Sequence, residues 1–189
     1  MNWLSNFENL KSNLLSLSTR NNLEKEIEPD LGFMQWKDFT LKIREAKRTV
    51  FFIGNGASAS MASHISADLA KNAQMKTEVF SDLSLITAIA NDLSYEEVFA
   101  EPLRRRMTEN DMLVAISSSG KSPNILRGVR EARRLDGVVI TLSAMKPNNA
   151  LRNQGSLNFY VPAMSYGMAE TCHAAILHYW MDLVVASIG

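Results

Sequence analysis

Thr49-Val50-Phe51-Phe52-Ile53-Gly54-Asn55-Gly56-Ala57-Ser58 is the stretch on which the fold turns. Thr49 to Ile53 form a short β-branched and aromatic run, which predicts a strand buried on both faces, as parallel strands are. The glycines end it. From Ala57 the pattern becomes helical over 57–73, with Met61, Ile65 and Leu69 four apart on one face. Downstream the same alternation recurs, with strands expected over 77–80, 112–116, 138–142 and 157–161. Between and after them, helices are expected over 83–90 and 95–107, from the cap Ser122-Pro123, and over 168–188. The fold class is therefore α/β: a doubly wound (flavodoxin-like) five-stranded parallel sheet with helices on both faces.

Upstream, Leu4, Phe7, Leu10, Leu14 and Leu17 recur at spacings of three and four, so the first ~30 residues read as helical. Pro29-Asp30-Leu31-Gly32 breaks that helix, and a second begins near Met34 and runs through Trp36, Phe39, Leu41 and Ile43 to Lys47-Arg48. These two N-terminal helices are extra to the sheet. No repeat or Pro/Gly-rich linker divides the chain, so residues 1–189 are expected to form a single domain. Residues 1–47 would pack on the closing helix and on neighbouring subunits, since these helices carry more apolar surface than one domain of this size needs.

Twenty basic and twenty acidic residues cancel, so no global field draws the protein to nucleic acid or to an acidic membrane surface. Arg104-Arg105-Arg106 reads as a solvated helix face. The single cysteine, Cys172, rules out an internal disulfide and fits a reducing compartment. Its apolar setting, Thr171-Cys172-His173-Ala174-Ala175-Ile176, favours a buried small residue over a nucleophile. The start shows no basic-then-apolar leader, and no apolar run approaches the ~20 residues that span a bilayer. A soluble cytoplasmic protein is expected.

Ligands of open α/β sheets sit beyond the carboxyl ends of the strands. Two loops there have the chemistry to hold an anion. Gly54-Asn55-Gly56-Ala57-Ser58 offers close backbone approach and a helix N-terminus. Ser117-Ser118-Ser119-Gly120-Lys121-Ser122 offers hydroxyls, a glycine and another helix start. Neither has the spacing of a dinucleotide fingerprint or of a nucleoside-triphosphate loop, which leaves a small phosphate ester. Among the ionisable residues, His64 and Asp68 share one helix face, as a metal site, an acid–base pair or a surface ion pair. The closing helix carries Glu170, His173 and His178, and His173 reads as a satisfied core histidine. Glu170 and His178 are eight residues apart, roughly 12 Å along a helix. They can share one ion only if the helix bends or starts late, or if another subunit contributes.

Taken together, Gly54-Asn55-Gly56-Ala57-Ser58 with His64, Ala88-Ile89-Ala90-Asn91-Asp92, Ile116 to Ser122, Val139-Ile140-Thr141-Leu142-Ser143, Tyr166, Glu170 and His178 resemble the phosphoheptose isomerases of the sugar isomerase (SIS) domain family. The likeness spans nearly the whole chain, including the leading helices. It implies a homotetramer that interconverts sedoheptulose 7-phosphate and a heptose 7-phosphate for lipopolysaccharide or capsule heptose. It implies that Ser117, Ser118, Ser119 and Ser122 hold the phosphate and that Asn55, Gly56, Ala57, Asn91 and Asp92 line the sugar, with Ser58 beside them. It places zinc, or another divalent metal, on His64, Asp68, Glu170 and His178. Asp68, Glu170 and His178 are the catalytic candidates, either carboxylate as base and the histidine as acid. Two positions depart from the family pattern, which usually has glutamate where this chain has Asp68 and glutamine where it has Glu170. The alternatives are a non-catalytic SIS-domain protein of the replication-initiator-associating type, binding a sugar phosphate or a protein, or an isomerase of another phosphosugar.

Overall fold

The structure is a computed structural model that describes residues 2–188. Met1 and Gly189, the two ends of the expected domain, lie outside the described residues. Elements follow in the order α1 (Trp3–Leu15), β1 (Ser18–Asn21), β2 (Glu26–Ile27), α2 (Pro29–Glu45), β3 (Thr49–Gly54), α3 (Ala57–Ala73) and β4 (Lys76–Val79). Then come α4 (Leu83–Asp92), a short 3-10 turn (Tyr95–Glu97), α5 (Ala100–Arg106), β5 (Met112–Ser117), α6 (Pro123–Arg134), β6 (Val138–Ser143), β7 (Leu157–Tyr160) and α7 (Tyr166–Ala186).

All seven strands form one mixed sheet in the order β2-β1-β7-β6-β5-β3-β4. The five expected strands are there, mutually parallel. The expectation of a five-stranded, wholly parallel sheet is corrected by an N-terminal hairpin: β1 and β2 pair antiparallel, and β1 adds antiparallel to the β7 edge. The first helix therefore stops at Leu15, and Pro29, expected as a breaker, occupies the first turn of α2, where its missing N–H costs nothing. The hairpin is polar, and side chains hold it. Asn21 accepts from the Leu23 and Lys25 amides across the turn, and Glu26 accepts from Ser18, Arg20 and Arg152.

Alternate residues of β3 feed two cores. Val50 and Phe52 face α2, α3 and α7, while Phe51 and Ile53 face α4, α5 and α6. The first core is anchored where Trp36 of α2 stacks on Trp180 of α7 at 4.2 Å, with the Trp180 indole N–H donating to Thr40. The second is closed by α6, whose Ile125, Val129 and Ala132 are fully buried. Arg104, Arg105 and Arg106 lie at the surface, as expected, but each is ion-paired, to Glu97, Glu101, Glu131 or Glu78. Among the described residues, no helix is long and apolar enough to cross a membrane.

The strand order sets the position of the ligand crevice. After β3 the chain moves outward to β4 and then returns to the other side of β3 as β5. Loops leaving β3 and β5 at their carboxyl ends therefore diverge, and the gap between them is the topological switch point. Those loops are the Gly54–Ser58 turn and the serine loop.

Candidate active site

At the switch point a cavity of ≈ 170 Å³ is lined by Asn55, Ser58, Ile116, Ser117, Ser118, Ser119, Ser122, Tyr166 and Glu170. Three helix starts meet here: α3 brings Ser58, α6 brings Ser122, and α7 brings Tyr166. Their free N–H groups and dipoles favour an anion. Serine side chains complete the lining; Ser119 Oγ accepts from the Lys121 amide at 3.3 Å, and others keep their hydroxyls off the backbone. Ser122 sits at the N-cap of α6 as expected, yet its side chain makes no capping bond and instead faces Ser117 Oγ at 3.4 Å. Ser118 Oγ is buried with no partner. An unpaired buried hydroxyl costs about 1–3 kcal/mol, and an incoming phosphoryl oxygen would remove that cost.

Backbone geometry explains the glycines. Gly56 (φ +56°) begins α3 from the left-handed region, and Gly120 (φ +61°) turns the serine loop. Behind Gly120 sits the buried Asn149. Its Nδ2 donates to Ser143 Oγ and to the Ala144 and Lys146 carbonyls, and its Oδ1 accepts from the Arg152 amide. The serine loop thus rests on a packed wall.

Of the expected sugar and phosphate residues, the protomer brings Asn55, Ser58, Ser117, Ser118, Ser119 and Ser122 into this one cavity. Gly56 lines an adjoining, mostly apolar cavity of ≈ 280 Å³ that also touches Asn55. Ala57 is exposed beside it. Asn91 and Asp92 are exposed at the end of α4, where the Asn91 amide donates to the Asp92 carboxylate, and they line neither cavity.

The four expected metal residues divide into two groups. Glu170 lines the serine cavity. His64 and His178 meet where α3 packs on α7, their ring centroids 5.4 Å apart, and Asp68 Oδ2 is 3.4 Å from His64 Nε2. Since α7 runs unbroken from Tyr166 to Ala186, neither a bend nor a late start brings Glu170 to His178. Among the described residues, no group of three or more His, Cys, Asp or Glu could hold a metal ion. The imidazole–carboxylate chemistry suits zinc, but the placement within one protomer does not assemble the set around one ion.

His173 and Cys172 face the core. Cys172 is fully buried, and burial pushes its thiol up to about 11, too high for a nucleophile. His173 is likewise fully buried, and neither ring nitrogen has a well-formed hydrogen bond. Burial pulls its imidazole down to about 4, opposed only by a weak contact with the Ser143 backbone. The folded value lies below the ordinary 6.5, so at intermediate pH the unfolded chain takes up a proton that the folded chain refuses. Stability from this residue is complete above pH 6.5 and drains away as pH falls toward 4, by up to about 3 kcal/mol. His173→Leu should flatten the fall in Tm across that window. An unchanged slope would show that other groups cause it.

Sequence reading missed Asn124, Asn149 and Tyr95. Asn124 had one usable signal, its place as the second helical residue after the serine loop. The other two are joined to the site only by the fold.

The sheet, its switch point and the serine cavity define an SIS domain: the family model described as "SIS domain" matches residues 33–144. A phosphoheptose isomerase of Helicobacter pylori (strain Shi470) is 32% identical over 146 residues, 74% of this chain and 76% of its own. The solved phosphoheptose isomerase of Francisella tularensis superposes with a TM-score of 0.82 at 25% identity, covering 98% of this chain and 100% of that one. The one from Neisseria gonorrhoeae gives 0.73 at 26% identity, covering 83% and 86%. The chain belongs to the phosphoheptose isomerase family of SIS-domain proteins.

Proposed function

We propose that the protein is an aldose–ketose isomerase that interconverts sedoheptulose 7-phosphate and a heptose 7-phosphate. One observation carries the reading: five serines, three helix N-termini and Glu170 line a single cavity. The serines and helix starts suit a dianionic phosphate, and a carboxylate beside them suits proton transfer on the chain of the same ligand. The relatives bear the name of this activity, and the serines that the sequence resemblance implies for the phosphate line this one cavity.

In the forward direction the phosphate docks on Ser117, Ser118, Ser119 and Ser122 and fixes the sugar's position. Glu170 removes a proton from C1 of the open-chain ketose, and the C1–H electron pair forms the C1–C2 double bond while the C2 carbonyl π pair moves onto O2, leaving the enediol as its anion. Return of a proton to C2, with the hydroxyl proton passing from O1 to O2, gives the aldose. Asn55 donates to the sugar oxygens. Asp68 is the second candidate for the base and His178 for the acid. Ten residues separate Asp68 from Ser58 on α3, about 15 Å, which sets Asp68 further from the phosphate than Glu170. Zinc, as the resemblance implies, would need His64, Asp68, Glu170 and His178 brought together from more than one copy, and no step above depends on it. We further propose one SIS domain over 1–189 that works in the cytoplasm as a homotetramer, its heptose destined for surface polysaccharide. Exposed apolar Trp3, Leu4 and Phe7 on α1 and Tyr166 and Tyr179 on α7 support the self-association.

The test is incubation of the purified protein with sedoheptulose 7-phosphate, with and without chelator, followed by NMR of the products. An aldoheptose phosphate is expected. Binding without conversion would support the non-catalytic alternative instead.

A further inference from the structure

Asn55 is the side chain shared by both cavities at the switch point, and it is not free to rotate. Its Nδ2 donates to Asn124 Oδ1 at 3.0 Å, and Asn124 Nδ2 donates back to Asn55 Oδ1 at 2.9 Å. This reciprocal amide pair spans the crevice, joining the turn after β3 to the first turn of α6, just past the serine loop. Such a pair has two equivalent orientations unless something outside it breaks the symmetry. Here the Asn124 end is broken. The Ile125 amide donates to Asn124 Oδ1 at 3.0 Å, so that oxygen must face the α6 backbone. Tyr95 Oη donates to Asn55 Oδ1 at 3.3 Å, but a phenol oxygen accepts as readily as it donates, so it is the Ile125 amide, acting through Asn124, that fixes Asn55. Asn124 is only 2% exposed, which keeps water from competing for its bonds.

We infer that Asn124 is a positioning residue that locks the Asn55 amide with its nitrogen toward the ligand. An amide carries two N–H donors and one oxygen. Asn55 spends one donor on Asn124 and its oxygen on Asn124 and Tyr95, leaving a single N–H for a sugar oxygen. Without Asn124, Asn55 flips freely and offers the sugar its carbonyl as often as its N–H. The lock also sets the spacing of the two loops, so that phosphate and sugar contacts are made together. This role rests on the reading of the serine cavity as the phosphate site, and Asn124 itself need touch no ligand.

Two measurements separate the inference from that reading. In NMR of the whole protein, the free Asn124→Ala variant should show Asn55 side-chain amide protons exchanging with water at least about tenfold faster than in the unaltered protein, the mark of a lost buried hydrogen bond. Unchanged exchange would overturn the lock whatever the substrate is. In kinetics, Asn124→Ala should raise KM for sedoheptulose 7-phosphate about tenfold while the Kd for inorganic phosphate stays within about twofold. Adding Asn124→Ala to Asn55→Ala should cost nothing more, because the lock then holds nothing. Equal losses of phosphate and sugar-phosphate binding, or additive losses in the double variant, would reduce Asn124 to a structural role. Asn124→Leu, close to asparagine in shape but unable to accept from or donate to Asn55, gives the same readouts should the alanine variant not fold. Should the unaltered protein turn over no sedoheptulose 7-phosphate, the functional reading fails and the exchange measurement alone judges the lock.

Discussion

Glu170→Gln is expected to lower kcat on sedoheptulose 7-phosphate by about 10²–10⁴-fold, the usual worth of a positioned base. Affinity for inorganic phosphate should stay within about threefold, because the serines and helix starts that hold it are untouched. The amide has the carboxylate's shape and cannot take a proton from C1. Glutamine is also what the family pattern usually has at this position, so the variant tests whether this chain has moved its base. Glu170 is the carboxylate that lines the serine cavity, while Asp68 lies with His64 and His178 on the α3–α7 contact. Full activity in Glu170→Gln, with Asp68→Asn inactive, would transfer the role to Asp68 and to a site completed by another copy.

Gly120→Ala should do damage of a different kind, to binding and stability together. A Cβ at Gly120 would lie 1.9 Å from Asn149 Oδ1, and the residue's φ of +61° disfavours any side chain. Asn149 cannot step aside cheaply, since its amide holds Ser143, Ala144, Lys146 and Arg152 in place. The loop must give instead. Left-handed backbone costs a non-glycine residue about 1–2 kcal/mol, and the clash adds to it, for about 3 kcal/mol in all. In a chain of this size that lowers Tm by about 6–12 °C. Displaced serines should also weaken phosphate binding about 100-fold, as the loss of two charge-assisted bonds near 1.5 kcal/mol each requires. In an Asn149→Ala background the glycine substitution should cost clearly less, because the obstructing amide is gone. Wild-type phosphate affinity in Gly120→Ala would refute the serine loop as the anion site.

The parts of the fold that were legible in sequence are those in which burial and local pattern agree. Thr49–Gly54 and Met112–Ser117 are central strands buried on both faces, so their apolar runs had no other reading. The hairpin left no such trace. Ser18–Asn21 is four polar or β-branched residues between β2 and β7, held by Glu26 and by Arg152, more than a hundred residues away, and the leucine spacing before it ran on through Leu17. At the site, the serine loop was legible because strand, hydroxyls and helix cap follow each other in sequence. Asn124 was not, because its meaning lies in a partner across the crevice, at Asn55. The separation of Glu170 from His178 followed from helical rise alone, and the continuous α7 leaves only a second copy to bridge it. Asn91 and Asp92, taken for sugar-lining residues, face solvent in the single protomer.

The central claim is that one cavity both anchors a phosphate and moves a proton on the chain attached to it. Conversion of sedoheptulose 7-phosphate in heavy water, followed by proton and carbon NMR, tests both halves at once. An aldoheptose phosphate carrying deuterium at C2, formed by the unaltered protein and suppressed by excess inorganic phosphate, is the predicted result. No conversion, or conversion indifferent to inorganic phosphate, would contradict it.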